Sequence, residues 1–219
     1  MMYIKKIGIV LTLFIVATLR INAQQDPSAQ KLLNAVSKQY LSYQHVKINF
    51  AIKGHNAEQQ NVVNESGELY LQPKSDKFRL STKEQEIISD GNTQWTVLKE
   101  EGEVQVTNLD KNATSLTPAN LFTFYERGFK YVSGKDEQLK GKTYKVVDLT
   151  PIDNTKSFFK VRLRIDQTKR QIYDATVFDK GGSRFTYTIL KLVPNPQVNA
   201  KIFTFDKSAY PGMEVVDLR

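Results

Sequence analysis

The sequence has no cysteine, so it forms no disulfide, offers no thiolate nucleophile and has no lipobox through which its own N-terminus would be acylated. Histidine is nearly as scarce. His45 and His55 are the two in the chain, and neither sits at metal-ligand spacing or beside a second ligand type, so both read as loop or surface residues. A massed basic tract is also missing: lysine and arginine are spread along strand-like segments, which argues against nucleic-acid binding despite a net charge of +8. With 40% hydrophobic and 25% charged residues in 219, the chain is neither disordered nor multispanning and is of a length for one domain.

The longest apolar run stands at the start. Lys5 and Lys6 precede Ile7–Leu19, a stretch too short to span a bilayer comfortably, and Ala23 offers a signal-peptidase site before Gln24. Residues 1–23 are therefore expected to be a secretory signal peptide and 24–219 one mature domain, freely soluble beyond the cytoplasm; a signal anchor is the alternative. Cleavage removes Lys5, Lys6 and Arg20 and no acid, leaving 28 basic against 23 acidic residues, a mild excess of +5.

Asp26 and Pro27 form a helix start, and Ala29, Leu32, Leu33, Val36 and Tyr40 recur at helical spacing, giving one amphipathic helix that needs an apolar partner. From Val46 the period becomes two, and short strands follow at 67–71, 77–81, 85–88, 93–98 and around Val104 and Val106. Asp90-Gly91 marks a tight hairpin turn. Thr117-Pro118 then opens a second, short apolar helix with Leu121, Phe122, Phe124 and Tyr125 before Gly128. Strands resume at 129–132, 143–150, 158–166, 171–178 and 184–193. In the third of these Phe159, Val161, Leu163 and Ile165 oppose Lys160, Arg162, Arg164 and Asp166, which sets an apolar face against a wet one. Helices long enough for parallel crossovers are missing between the strands, so the fold class is mainly β (α+β), with antiparallel neighbours curling into a half-barrel or barrel.

Signs of catalysis are few. Ser66-Gly67 and Gly181-Gly182-Ser183 lack the surroundings of a nucleophile elbow, and Asp148 with Asp153, or Glu84 with Glu86, are carboxylate pairs that solvated strand faces explain. Asn112-Ala113-Thr114 matches a glycosylation acceptor too short to carry weight.

Gly67-Glu68-Leu69-Tyr70-Leu71 followed by Pro73 and Phe78, Ser89-Asp90-Gly91-Asn92-Thr93-Gln94-Trp95, Thr117-Pro118, Phe203-Thr204-Phe205 and the ending Tyr210–Arg219 together resemble, in order, the periplasmic outer-membrane lipoprotein carrier family (LolA-like). The resemblance implies a single unclosed antiparallel β-barrel with a helical lid over an apolar cavity. It also implies a periplasmic carrier, not an enzyme and without cofactor, that shields lipoprotein acyl chains between the inner and outer membranes. Its partners would be acylated lipoproteins as cargo, an inner-membrane lipoprotein-releasing transporter as donor, and an outer-membrane acceptor or the outer membrane itself, with the carrier a monomer. A carrier or sensor of another envelope lipid, or an unrecognised lipid-acting enzyme, are the alternatives. The candidate lining is Phe50, Leu69, Leu71, Phe78, Trp95, Leu163 and Ile165 from strands, with Leu33, Val36, Tyr40, Leu121, Phe122 and Tyr125 from helices. One departure stands out: the family's arginine before the proline, which helps hold the lid, is replaced by Gln72, and Arg79 on a regular strand points away from Phe78.

The leader gives the first prediction. N-terminal sequencing of the secreted protein should start at Gln24; an intact leader on a membrane-attached chain contradicts it.

Overall fold

A computed structural model describes residues 26–110, 117, 118 and 120–219; the leader and the Asn112-Ala113-Thr114 motif lie outside them. The described residues form one α-helix, α1 (Pro27–Leu41), and thirteen strands: β1 (Val46–His55), β2 (Asn61–Gln72), β3 (Lys77–Thr82), β4 (Gln85–Asp90), β5 (Thr93–Leu98), β6 (Glu103–Asn108), β7 (Phe129–Ser133), β8 (Glu137–Leu139), β9 (Lys142–Pro151), β10 (Phe158–Asp166), β11 (Gln171–Asp179), β12 (Arg184–Pro194) and β13 (Glu214–Asp217). They make a single sheet in the order β13-β6-β5-β4-β3-β2-β1-β12-β11-β10-β9-β7, with β8 paired to β9, and its two ends do not meet. Of the half-barrel or barrel that the alternation allows, the result is the unclosed form that the resemblance implies.

Three expectations need correction. The sheet is not wholly antiparallel: β13 runs parallel to β6, because the chain after β12 crosses the outer face before pairing, and a parallel neighbour requires such a crossover. Phe159 does not share the inner face of Val161, Leu163 and Ile165. The register with β11 slips between Phe158 and Lys160, and the bulge reverses parity, so Phe158 packs on the core while Phe159 is 49% exposed. The Asp90-Gly91 turn joins β4 to β5 in the expected tight hairpin, with Gly91 at positive φ (95°) and the Asp90 carboxylate accepting from the Asn92 and Thr93 amides. A Cβ on Gly91 would lie 2.4 Å from the Ser75 carbonyl, and Ser89 Oγ donates to Asp76 O at 3.1 Å, so the Ser-Asp-Gly motif locks two neighbouring turns together. Finally, Thr117-Pro118 opens one turn rather than an α-helix. Asn120 N donates to Thr117 Oγ1 and Thr117 N to Asn120 Oδ1. The chain then tightens to a 3-10 turn at Phe124–Glu126, since its β-branched and aromatic residues favour helix weakly and each ring is held by a different partner.

The helix forms as its cap signals. Asp26 accepts from the Ser28 and Ala29 amides and, through its other oxygen, from the Ser133 amide of β7 at 3.0 Å, tying the helix start to the last strand of the sheet. These bonds hold its carboxyl well below the usual carboxylate range. Ala29, Leu33, Val36 and Tyr40 face inward into one buried cluster with Val46, Leu71, Phe78, Leu163 and Ile165. On the opposite face Arg162 donates to Asp148, and Arg164 to Asp174, across strand pairs that are in register.

The outer face of β3–β6 is covered by the returning C-terminal chain, beneath which Ile88, Val97, Val104 and Phe203 are buried. Arg79 fixes that chain: its guanidinium donates to Glu86 Oε1 at 2.6 Å, to the Tyr210 hydroxyl at 3.0 Å and to Ile202 O at 3.4 Å, while Tyr210 donates to the other Glu86 oxygen. Arg79 therefore points away from Phe78, as strand alternation requires, and fastens the C-terminus rather than a lid. Burial opposes charge on Glu86, yet hydrogen bonds from Arg79, Tyr210 and Ser81 hold its pKa below the ordinary 4.5. A depressed folded pKa means stability that is complete above about 4.5 and drains as pH falls through the lower folded value. Glu86→Gln should cost about 1–3 kcal/mol at neutral pH and flatten the acid limb of a urea-midpoint profile; an unchanged profile contradicts the clamp.

Candidate functional site

Between the concave face and its roof lies a cavity of about 130 Å³, lined by Ile48, Phe50 and Ile52 of β1, Leu69, Leu80, Ile172, Ala175, Tyr187, Thr188 and Ile189, and roofed by Thr117, Pro118 and Leu121. Its walls are almost wholly carbon. Strand alternation supplies them: Phe50 faces Gly67 across β1 and β2, and a Cβ at Gly67 would sit 2.8 Å from the Phe50 ring and 2.3 Å from Ser81 O. The missing side chain is what lets the Phe50 ring lie against the sheet beside the hollow.

Of the thirteen residues expected to line it, the structure places Phe50, Leu69 and Leu121 on the cavity wall. Leu33, Val36, Tyr40, Phe122 and Tyr125 form the seam between α1 and the roof. Leu71, Phe78, Leu163 and Ile165 belong to the filled part of the same cluster. Phe78, 1% exposed, is fully packed rather than presented to the hollow. Trp95 is on the other side of the sheet. It pairs with Ile88 and Val106, and its ring stacks on Phe205 at 5.7 Å, with Phe205 on Tyr210 at 5.3 Å. Ile48, Ile52, Leu80, Ile172, Ala175 and Ile189 were missed. Each sits on an inward strand position, but periodicity marks a face and not which part of it is left unfilled.

A seam of uncharged contacts holds the roof to α1. Tyr40 and Phe122 rings stack 3.3 Å apart at 9°. Ser37 Oγ bonds the Phe122 carbonyl at 3.0 Å and the Tyr125 hydroxyl at 2.9 Å, and Tyr125 also reaches Leu33 O at 3.4 Å. Burial pushes both the Tyr40 and Tyr125 phenols up from their ordinary values, so the seam stays uncharged through the neutral range. Among the described residues no protein group hydrogen-bonds the buried Tyr40 hydroxyl, which weighs against the closed seam by about 1–3 kcal/mol. Gln72 takes no part in these contacts; its carbonyl closes the following turn by accepting from Ser75 N.

Polar chemistry lies elsewhere. Glu86 and Asp148 are engaged in ion pairs on the outer face, His45 stacks on Phe203 at 6.0 Å, and no group of metal-ligating side chains occurs among the described residues. Among them, too, no helix is long and apolar enough to cross a membrane.

The family model of the outer membrane lipoprotein carrier protein LolA matches residues 42–206. Among solved structures, the chain is similar to an uncharacterized conserved protein from Thermus thermophilus, at 12% identity and TM-score 0.59 over 87% of this chain and 99% of that one. It is similar also to MucB, at 15% identity and TM-score 0.51 over 87% of this chain and 66% of that one, and to a LolA superfamily protein from Nitrosomonas europaea, at 15% identity and TM-score 0.45 over 82% and 98%. At such identities the first two likenesses establish the fold alone. A comparison with curated protein sequences gives no match.

The packing difference is measurable. Phe78→Ala, in the filled cluster, should cost about 3–5 kcal/mol, whereas Leu121→Ala, facing the hollow, should cost less than half as much. Tyr40→Phe, which keeps the stack and removes the orphan hydroxyl, should stabilise by about 1 kcal/mol. Urea unfolding decides all three, and equal costs for Phe78→Ala and Leu121→Ala contradict the assignment.

Proposed function

Since the chain belongs to the family of outer membrane lipoprotein carrier proteins, LolA, whose members are carriers or binding proteins, we propose that it shields the acyl chains of lipoproteins in the periplasm and carries them from the inner to the outer membrane. The observation that supports this reading is the apolar cavity beneath a roof held by few and uncharged contacts.

At about 130 Å³ the cavity is well under the roughly 300–1,000 Å³ of sites that enclose a drug-sized ligand, so an acyl chain enters only as the roof lifts. The energies permit it. Each methylene buried is worth about 0.8 kcal/mol, so ten of them contribute about 8 kcal/mol. The seam opposes them with a ring stack of about 1 kcal/mol, hydrogen bonds of about 1 kcal/mol each and the burial of its own rings, which an acyl chain lying against them restores. Cargo therefore outweighs the latch, and the apolar roof re-closes once cargo leaves.

On this reading Phe50, Leu69 and Leu121 border the hollow in the closed form and are the first to meet an acyl chain as the roof lifts. Leu33, Val36, Tyr40, Leu71, Phe78, Phe122, Tyr125, Leu163 and Ile165 are exposed to cargo only as the seam parts, and Trp95 serves the outer face. The donor would be an inner-membrane lipoprotein-releasing transporter and the acceptor an outer-membrane protein or the membrane itself, with the carrier working as a monomer. Another envelope lipid would use the same walls, and mass spectrometry of lipids and lipoproteins co-purified with the secreted protein separates the two. The direct test is a fluorescent acyl probe, which should bind and be recovered chemically unchanged. Leu121→Trp, which fills the hollow from the roof, should weaken binding at least ten-fold. Hydrolysed probe, or binding indifferent to Leu121→Trp, contradicts the carrier.

A further inference from the structure

The hairpin tips at one end of the half-barrel carry a surface that the cavity does not account for. Three tips are joined there. Lys180 N in the β11–β12 turn donates to Ser157 O in the β9–β10 turn at 2.8 Å, and a Cβ on Gly182 would come within 3.0 Å of Ala57 in the β1–β2 turn. The tips thus form one platform rather than separate loops. Ile152 is 60% exposed, Val62 54% and Phe159 49%, all on or next to these turns. Cations stand among them: Lys160 Nζ lies 4.2 Å from the centre of the Phe178 ring, Arg184 covers the same ring at 5.7 Å, and Phe159 packs against it at 6.2 Å. The acids of the turns are Glu58, Asp153 and Asp179; Asp153 accepts from Thr155 and Asp179 from the Gly181 amide, and Lys156, Lys160, Lys180 and Arg184 outnumber them.

Exposed aliphatic and aromatic side chains among lysines and arginines that exceed the neighbouring acids suit the boundary between headgroups and acyl chains of an anionic bilayer. A protein partner would leave cations facing a surface of unspecified charge. A bilayer supplies both the negative headgroups and the apolar layer just beneath them. The platform is also close to the cavity. Ile52 and Tyr187 line the hollow as a cross-strand pair, and the pairs Lys53–Thr186, Gly54–Phe185 and His55–Arg184 lead from them to the tips. We propose that this rim docks on an anionic lipid surface, inserting Ile152 and Phe159 while Lys160 and Arg184 bind headgroup phosphates. The proposal deepens the carrier reading, but the docking surface is separate from the cavity and is tested separately.

Every described element lies in 27–217, so the chain from Gln24 onward carries the fold and avoids a leader that would itself bind lipid. Flotation with phosphatidylglycerol-containing vesicles should recover this protein, and pure phosphatidylcholine vesicles should recover little. Ile152→Ser/Phe159→Ser should lower the partition coefficient at least ten-fold, and Lys160→Gln/Arg184→Gln about five-fold per charge removed, with melting temperature kept and uptake of the acyl probe unchanged. A comparison surface exists in the groove of α1, where Lys31 and Lys38 face Arg170 without an exposed large apolar side chain; Lys31→Gln/Lys38→Gln should reduce partition by no more than two-fold. Absence of binding to anionic vesicles at low salt, or binding lost through the α1 pair and kept in Ile152→Ser/Phe159→Ser, overturns the proposal. Failure of probe uptake with normal vesicle binding overturns the carrier reading and leaves the docking surface standing.

Discussion

The contact between α1 and the segment that opens at Thr117 is the constraint on which the rest of the molecule depends. An unclosed sheet presents a curved apolar face that has to be covered, and one helix is too narrow to cover it. The second cover is a short length of chain whose rings reach in separate directions: Phe122 onto Tyr40, Tyr125 onto Ser37 and Leu33, Phe124 onto Phe129. Because this segment winds into a turn rather than a helix, it fills the end of the half-barrel near Tyr40 and leaves the stretch beneath Pro118 and Leu121 hollow. Seam and cavity are two consequences of one local irregularity.

The outer face is built on the opposite principle. There the cover is fastened by charge, with Arg79, Glu86 and Tyr210 interlocked and Trp95, Phe205 and Tyr210 stacked in series. Further along the sheet, Arg162 and Arg164 pair across strands with Asp148 and Asp174. Breaking a half-buried, multiply bonded ion pair is costly, whereas parting uncharged rings costs about the burial of the area they share. The sheet is thus braced on its convex side and yielding on its concave side, the combination that a removable cover over an apolar cargo requires.

Much of this is legible in the residues. Strict alternation from Val46 to Ile52 and from Val161 to Ile165 fixes which side chains face inward, and Asp26-Pro27 fixes the helix start. What escapes sequence reasoning is whatever a single residue or a distant segment decides. The bulge at Phe159 reverses a face without any glycine or proline to announce it. Trp95 alternates correctly, but which face of β5 looks into the barrel is set by Ile87 and Leu80 on neighbouring strands. The roof is held through Tyr40, which periodicity reads as ordinary core, and through Ser37, a polar residue that periodicity does not mark at all. The line between filled core and hollow depends on how far the roof reaches, which no strand pattern encodes.

The central claim is that the roof must lift from α1 for acyl chains to enter, and the absence of cysteine makes a clean test possible. Leu41 and Thr123 both border the small gap at the edge of the seam that Tyr40, Leu71 and Phe122 also line. Leu41→Cys/Thr123→Cys, joined by a short thiol-specific linker, ties the roof to the helix without touching the cavity wall. Uptake of a fluorescent acyl probe should fall at least ten-fold in the linked protein and return when a reducible linker is cleaved. Equal uptake in the linked and released forms would contradict the account.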